Sequence, residues 1–205
     1  MNMPNTQNVK LSENIILADA DYIDLVTFRL SVQFERMVGR RIPKADLSRW
    51  AVDIALDGGL REDSKPHETQ LVLLHDKSKK QLDNFSPSAY DTELNAQAFR
   101  DDKLGEFLVN AYPTGSMVAK DDYLQDAIRT ILEHDEVRRL MIIPNGEEGE
   151  SYDLVSRALH DAPDDKRITV FAMQPMPGGN FRQEILGYSL MNALGIKADE
   201  LKTED

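Results

Sequence analysis

The sequence predicts an α/β fold, a three-layer sandwich built on a mainly parallel five-stranded sheet of Rossmann-like type. Three observations predict it. Five short apolar segments recur: "NIILADA" (14–20), "TQLVLLHD" (69–76), "GEFLVNAY" (105–112), "RRLMIIPN" (138–145) and "RITVFAMQ" (167–174). Four of the five are near-continuous apolar runs, the signature of strands buried on both faces rather than on one. Between them lie segments with apolar residues every three to four positions, which is helical periodicity. Strands alternating with helices make βα units, and such units build a parallel sheet covered on both sides.

Taken in chain order, the first strand runs into three carboxylates, Asp19, Asp21 and Asp24. A helix is expected from about Asp24 to Val38, apolar on more than one face and therefore well buried, with Asp24 as its N-cap. In 45–59 the positions Leu47, Trp50, Ala51, Ile54 and Ala55 form one stripe, and Gly58-Gly59 ends that helix. The second strand ends in His75 and Asp76. Residues 77–103 are the least regular part, a functional flap or a partly helical excursion. The third strand carries Asn110 and leads to Thr114. A helix opening at Asp121 and Asp122 shows the stripe Leu124, Ala127, Ile128, Ile131; acids in its first turn complement the helix dipole. The fourth strand leads to Asn145, Glu147, Glu148 and Glu150, which also suit a solvated loop and the first turn of the helix at 152–161. After the fifth strand, "PGGN" (177–180) reads as a turn, and 182–196 is amphipathic in helical register. Residues 1–205 are read as a single domain, with 1–12 and 197–205 as frayed tails.

Composition limits function. The charge balance is 24 − 36 = −12, and the basic clusters "GRRIPK" and "DKSKK" are short and flanked by acids. Tight, sequence-independent nucleic-acid binding rests on basic surface and counterion release, so it is disfavoured. An acidic mouth suits a cation or cationic partner better. The chain has no Cys, which excludes disulfides, thiolate metal sites and a cysteine nucleophile. Its first residues lack an apolar signal-peptide core, and no apolar run approaches the ~18 residues of a membrane span. The expectation is a cytoplasmic protein with no membrane segment. GxxxxGK[ST], GxSxG and GxGxxG motifs are absent. His67, His75, His134 and His160 show no ligand spacing.

In open α/β sheets, ligands sit beyond the carboxyl ends of the strands, where strand order reverses. Carboxylates are over-supplied there, and a set of hard oxygens suits Mg²⁺ or Mn²⁺. Asp19 is the strongest candidate. It interrupts a buried strand at its exit, and a buried carboxylate costs several kcal/mol, ~2–7 or more, unless paired or metal-bound.

The order of the acids resembles the NYN branch of the PIN-like nucleases. That branch has an Asp with a nearby Asn after strand one, "KGVD" opening a helix, and "SGDSDF" after the following strand. Here Asp19 matches the first Asp, with Asp21 near the Asn position, and Lys120 with Asp122 matches the second motif. The third is replaced by Pro144-Asn145-Gly146-Glu147. The chain also resembles members of an uncharacterised bacterial protein family. The nuclease resemblance implies a PIN-like fold and metal-dependent cleavage of an RNA phosphodiester. Asp19 and Asp122 would be catalytic, Asp19, Asp21, Asp122 and Glu147 would hold Mg²⁺ or Mn²⁺, and Lys120 and Asn145 would bind substrate. The alternative is a catalytically inactive PIN-like scaffold serving in protein interaction or homo-oligomerisation, using Phe85, Tyr90, Phe99, Tyr112, Met117, Met173 and Met176. A third reading is a small-ligand binder using the "PGGN" turn.

Overall fold

The structure, a computed structural model, describes residues 10–115 and 117–201, with the backbone alone for 117–119. Among these residues the strands are β1 (Asn14–Asp19), β2 (Ala45–Asp46), β3 (His67–Asp76), β4 (Phe85–Ser86), β5 (Gln97–Asp101), β6 (Gly105–Thr114), β7 (Arg139–Ile143), β8 (Arg167–Ala172) and β9 (Arg182–Ile185). The helices are α1 (Ala20–Val38), α2 (Leu47–Asp57), α3 (Met117–Leu132), α4 (Ser151–Ala158) and α5 (Leu186–Ala193).

One sheet has the order β5-β6-β3-β1-β7-β8-β9. Every neighbouring pair is parallel except β5 with β6. All five expected strands are present, as β1, β3, β6, β7 and β8. The sheet nevertheless has seven strands rather than five, because β5 and β9 extend its two edges. Neither edge segment, "QAFRD" nor "RQEI", carries an apolar run. β9 corrects the helical expectation for residues 182–185. Pairing with β8, Thr169 opposite Arg182 through Ala172 opposite Ile185, draws this stretch into the sheet, and α5 starts only at Leu186.

The sheet lies between two cores because successive strand residues point to opposite faces. Ile16 and Ala18 of β1 pack with α1, α2 and α5, around Trp50, Ile54 and Leu190. Ile15 and Leu17 pack on the other face with α3 and α4, around Ile128 and Val155. From central β1 the chain steps outward to β3 and β6, then returns to the other side of β1 for β7, β8 and β9. The order therefore reverses between β1 and β7, and a crevice opens beyond their carboxyl ends.

The irregular stretch 77–103 forms β4, one π turn at Tyr90–Leu94, and β5. Of the residues expected to offer a contact surface, Phe85 and Tyr90 are core and Phe99 stacks on Phe107 at 4.8 Å. Met173 and Met176 are partly buried against the two cores, and Tyr112 is exposed; the Met117 side chain lies outside the described residues. Near the ends of the described residues, the Leu11 backbone N–H donates to Glu136 at 3.4 Å, and Arg40 donates to both carboxylate oxygens of Glu200 at 2.7 and 2.9 Å. No described helix is long and apolar enough to cross a membrane.

Candidate functional site

Asp19 ends β1 and at the same time N-caps α1, its carboxylate accepting from the Tyr22 backbone N–H at 3.0 Å. The cap is therefore Asp19 and not Asp24. The helix begins at Ala20, and Asp24 lies inside it, accepting from the Asn84 backbone N–H at 2.8 Å. Asp21, in the first turn of α1, accepts from the Asp76 backbone N–H at 2.8 Å, which ties the end of β3 to α1.

Between the two acids stands Lys120 of α3. Its Nζ donates to Asp19 at 2.9 Å and to Asp21 at 2.5 Å. The side chains are nearly buried, Lys120 and Asp19 being 11% and 10% exposed. Burial pushes the Asp19 carboxyl up from its usual range, and the Lys120 charge opposes this. For Lys120 burial disfavours the ammonium, but the two carboxylates outweigh it and hold its pKa above the ordinary value. Desolvation of Lys120 is thus offset by both acids, whereas Asp19 is relieved by Lys120 and opposed by the like charge of Asp21.

Around this triad lies a pocket of about 230 Å³, also lined by Tyr22, Leu25, Asp76, Asp121, Asn145, Glu148 and Ser151. Asn145 shapes the loop after β7, its side-chain oxygen accepting from the backbone N–H groups of Glu147 and Glu148 at 3.0 Å each. The Ser151 hydroxyl is buried without a hydrogen-bond partner among the described residues, and the Tyr22 hydroxyl is buried beside the Glu147 carboxylate. Asp76 is held below its usual range by hydrogen bonds from Ser78.

The structure thus brings together Asp19, Asp21, Lys120 and Asn145 from the expected set, and leaves out two. Asp122 is exposed on α3 and does not line the pocket, whereas Asp121 does. Because α3 begins at Met117 rather than Asp121, the phase of its first turns is set by Leu124 and Ile128 against the core. At ~100° per residue, Asp121 rather than Asp122 then shares the Lys120 side. Glu147 turns outward to Arg29, at 3.0 Å, and Glu148 lines the pocket in its place. Tyr22 and Ser151 gave no signal in the sequence: an aromatic inside an apolar helix and a Ser at a helix start are ordinary residues.

The other candidates lie elsewhere. His75 stacks on Tyr90 at 3.7 Å beneath the β3 exit. His67 contacts Glu13 at 2.6 Å at the opposite edge of the sheet. "PGGN" is irregular, with Gly179 bridged to Phe181, and it precedes β9 rather than a helix, so it offers no helix N-terminus to an anion.

For a divalent ion the donor set is of the right kind, hard carboxylate oxygen, but the ammonium of Lys120 already stands between its two nearest members. No group of three or more His, Asp or Glu among the described residues is placed to hold a metal ion. The residues as arranged do not fit a metal centre.

Fold and site together define an α/β protein with an acidic, lysine-centred pocket at the point where strand order reverses. The chain belongs to a family of unknown function, DUF6621, whose model matches residues 8–201. No curated protein and no solved structure matches it.

Proposed function

We propose that this protein is a non-catalytic binding module on a PIN-like scaffold, and that its pocket recognises a cationic ligand or partner. One observation carries the reading: Lys120 bonds both Asp19 and Asp21 and so takes the position that a divalent ion would need. An ammonium there satisfies Asp19 and Asp21 but offers no coordination site to a phosphodiester or to an attacking water. The remaining wall, Asp76, Asp121 and Glu148, has no ion-pair partner among the described residues and attracts positive charge. The overall charge of −12 works in the same direction.

Those three carboxylates also favour a second reading, metal-dependent phosphodiester hydrolysis in a divergent nuclease. In that reading Asp19, Asp21, Asp121 and Glu148 would be the residues to hold Mg²⁺ or Mn²⁺ once Lys120 gave up its place, and the ion would supply Lewis-acid activation of water. Calorimetric titration with Mn²⁺ separates the two. The proposal expects no micromolar binding by the natural protein and the appearance of binding in Lys120→Met, where the carboxylates are released. Micromolar binding by the natural protein that Asp19→Asn removes, with cleavage of single-stranded RNA, would overturn it in favour of the second reading.

A further inference from the structure

We infer that the switch-point pocket receives an α-aminoacyl group. Its primary ammonium lies among Asp76, Asp121 and Glu148, and the neighbouring carbonyl oxygen accepts hydrogen bonds from Lys120 and Ser151. The inference rests on the reading of this pocket as a site for cations and names the ligand class.

Two residues that line the pocket hold hydrogen-bonding capacity the protein leaves unused. Ser151 is 3% exposed, and its hydroxyl has no partner among the described residues. A buried hydroxyl without a partner is uncommon, because losing water without replacing its hydrogen bonds is unfavourable. Lys120 is 9% exposed and carries three N–H donors. Two of them serve Asp19 and Asp21, and the third has no partner among the described residues. Ser151 also opens α4, where the cap residue Glu150 makes no side-chain hydrogen bond, so the first N–H groups of that helix lack a side-chain acceptor.

The charge of the pocket runs the other way. Five carboxylates line it against the one ammonium of Lys120. Asp19 and Asp21 are taken up by Lys120 and by the backbone N–H groups of Tyr22 and Asp76. Asp76, Asp121 and Glu148 have no ion-pair partner among the described residues. A ligand that uses both features brings a positive charge and, close to it, an oxygen that accepts hydrogen bonds. The cavity is about 230 Å³, below the range of about 300–1,000 Å³ typical of small-ligand pockets, so the two groups stand a few bonds apart.

The chemistry follows from this combination. A bare metal ion or a plain alkylammonium offers nothing to the idle donors. An anion meets an excess of negative charge, and a neutral polyol leaves that charge unused. An α-aminoacyl group carries its ammonium and its carbonyl oxygen on adjacent carbon atoms. The carboxylates take the ammonium through charge-assisted hydrogen bonds, and Lys120 and Ser151 donate to the carbonyl. Free amino-acid derivatives carry this unit, and so does the unblocked amino terminus of a polypeptide, whose capture is a recurring mode of peptide recognition.

The test is calorimetric titration of the full chain, at neutral pH and low salt, with trialanine amide and with its N-acetyl form. It is run on the natural protein, Ser151→Ala and Glu148→Gln. Saturable one-to-one binding of the free amine is expected, weakened about 10-fold or more by acetylation and about 3- to 10-fold by each substitution. Thermal melts check folding: Glu148 is exposed, and Ser151→Ala removes a hydroxyl that has no partner, so its melting temperature is expected to hold or rise. L-alaninamide identifies the source. Binding as tight as that of the tripeptide means a free amino-acid derivative, and weaker binding means a polypeptide amino terminus. Absence of trialanine amide binding, or binding that acetylation or Ser151→Ala leaves unchanged, would overturn the inference. N-acetyl-lysine amide separates it from the broader reading: binding as tight as that of trialanine amide, and independent of Ser151, leaves a general cation site and removes the aminoacyl inference alone. The Mn²⁺ titration reads Lys120 against Asp19 and decides the underlying reading separately.

Discussion

Lys120 is the residue on which the site turns, since its one positive charge serves buried Asp19 at the end of β1 and half-buried Asp21 of α1. Lys120→Met leaves Asp19 and Asp21 with their backbone hydrogen bonds but no counter-charge, and breaking a buried pair costs about 3–5 kcal/mol. A loss near about 3 kcal/mol is expected in urea unfolding, since Asp21 keeps some solvent contact. Asp19→Asn keeps an N-cap of comparable quality, so its cost reports the charge pair, and combined with Lys120→Met it is expected to be far less than additive. Asp122→Asn, on the exposed side of α3, is expected to change stability by no more than about 0.5 kcal/mol. A pH signature comes from Asp57, which burial and the neighbouring charges of Glu184 and Asp53 push up to about 6. Folding therefore takes up a proton between the ordinary value of 3.8 and about 6, and this contribution to stability falls as pH rises through that window. In melts across pH 4–7, Asp57→Asn should lose this part of the slope and be the more stable protein at pH 7. At this scale Asp19 was legible, because an acid at the exit of an apolar run is expensive to leave alone. The choice of Asp121 over Asp122 was not, because the two acids are neighbours on α3 and which side of that helix faces the pocket is set by its packing on the sheet.

Among the elements, those with strong internal periodicity declared themselves, and those made by their neighbours did not. β1, β3, β6, β7 and β8 are apolar runs and α2 carries a regular stripe. β9 is a strand because β8 offers an edge beside it, and no residue of "RQEI" demands that state. The start of α1 follows the same logic. Asp19 and Asp24 are both competent caps; in the fold Asp19 caps α1 through the Tyr22 N–H, while Asp24 accepts instead from the Asn84 N–H of a distant loop. Local geometry is also strict at the start of β6. Gly105 has φ +93°, and an added Cβ would meet the His67 backbone across the parallel β3–β6 ladder. Gly105→Ala is expected to cost about 2–3 kcal/mol, measured by urea unfolding, from backbone strain and the displacement of β3.

For the whole molecule, an excess of twelve negative charges makes the folded state repel itself. Raising NaCl from about 10 to about 150 mM shortens the screening length from about 30 to about 8 Å, so the melting temperature is expected to rise with salt. The nearly buried Lys120 pairs should contribute little to that dependence, and Lys120→Met should show the same salt slope as the natural protein. The sequence by itself determined the alternation of strands and helices, the two-sided burial of the sheet and the placing of acids at its carboxyl edge. Each of these rests on hydrophobic period or on residue chemistry within a few positions. Only the tertiary structure decided that seven strands form the sheet, that α3 turns Asp121 inward, and that Lys120 rather than a third acid meets Asp19. Those two residues are 101 positions apart, and which of several chemically competent side chains closes such a distance is set by how the helices seat on the two faces of the sheet, a packing outcome that no local pattern encodes.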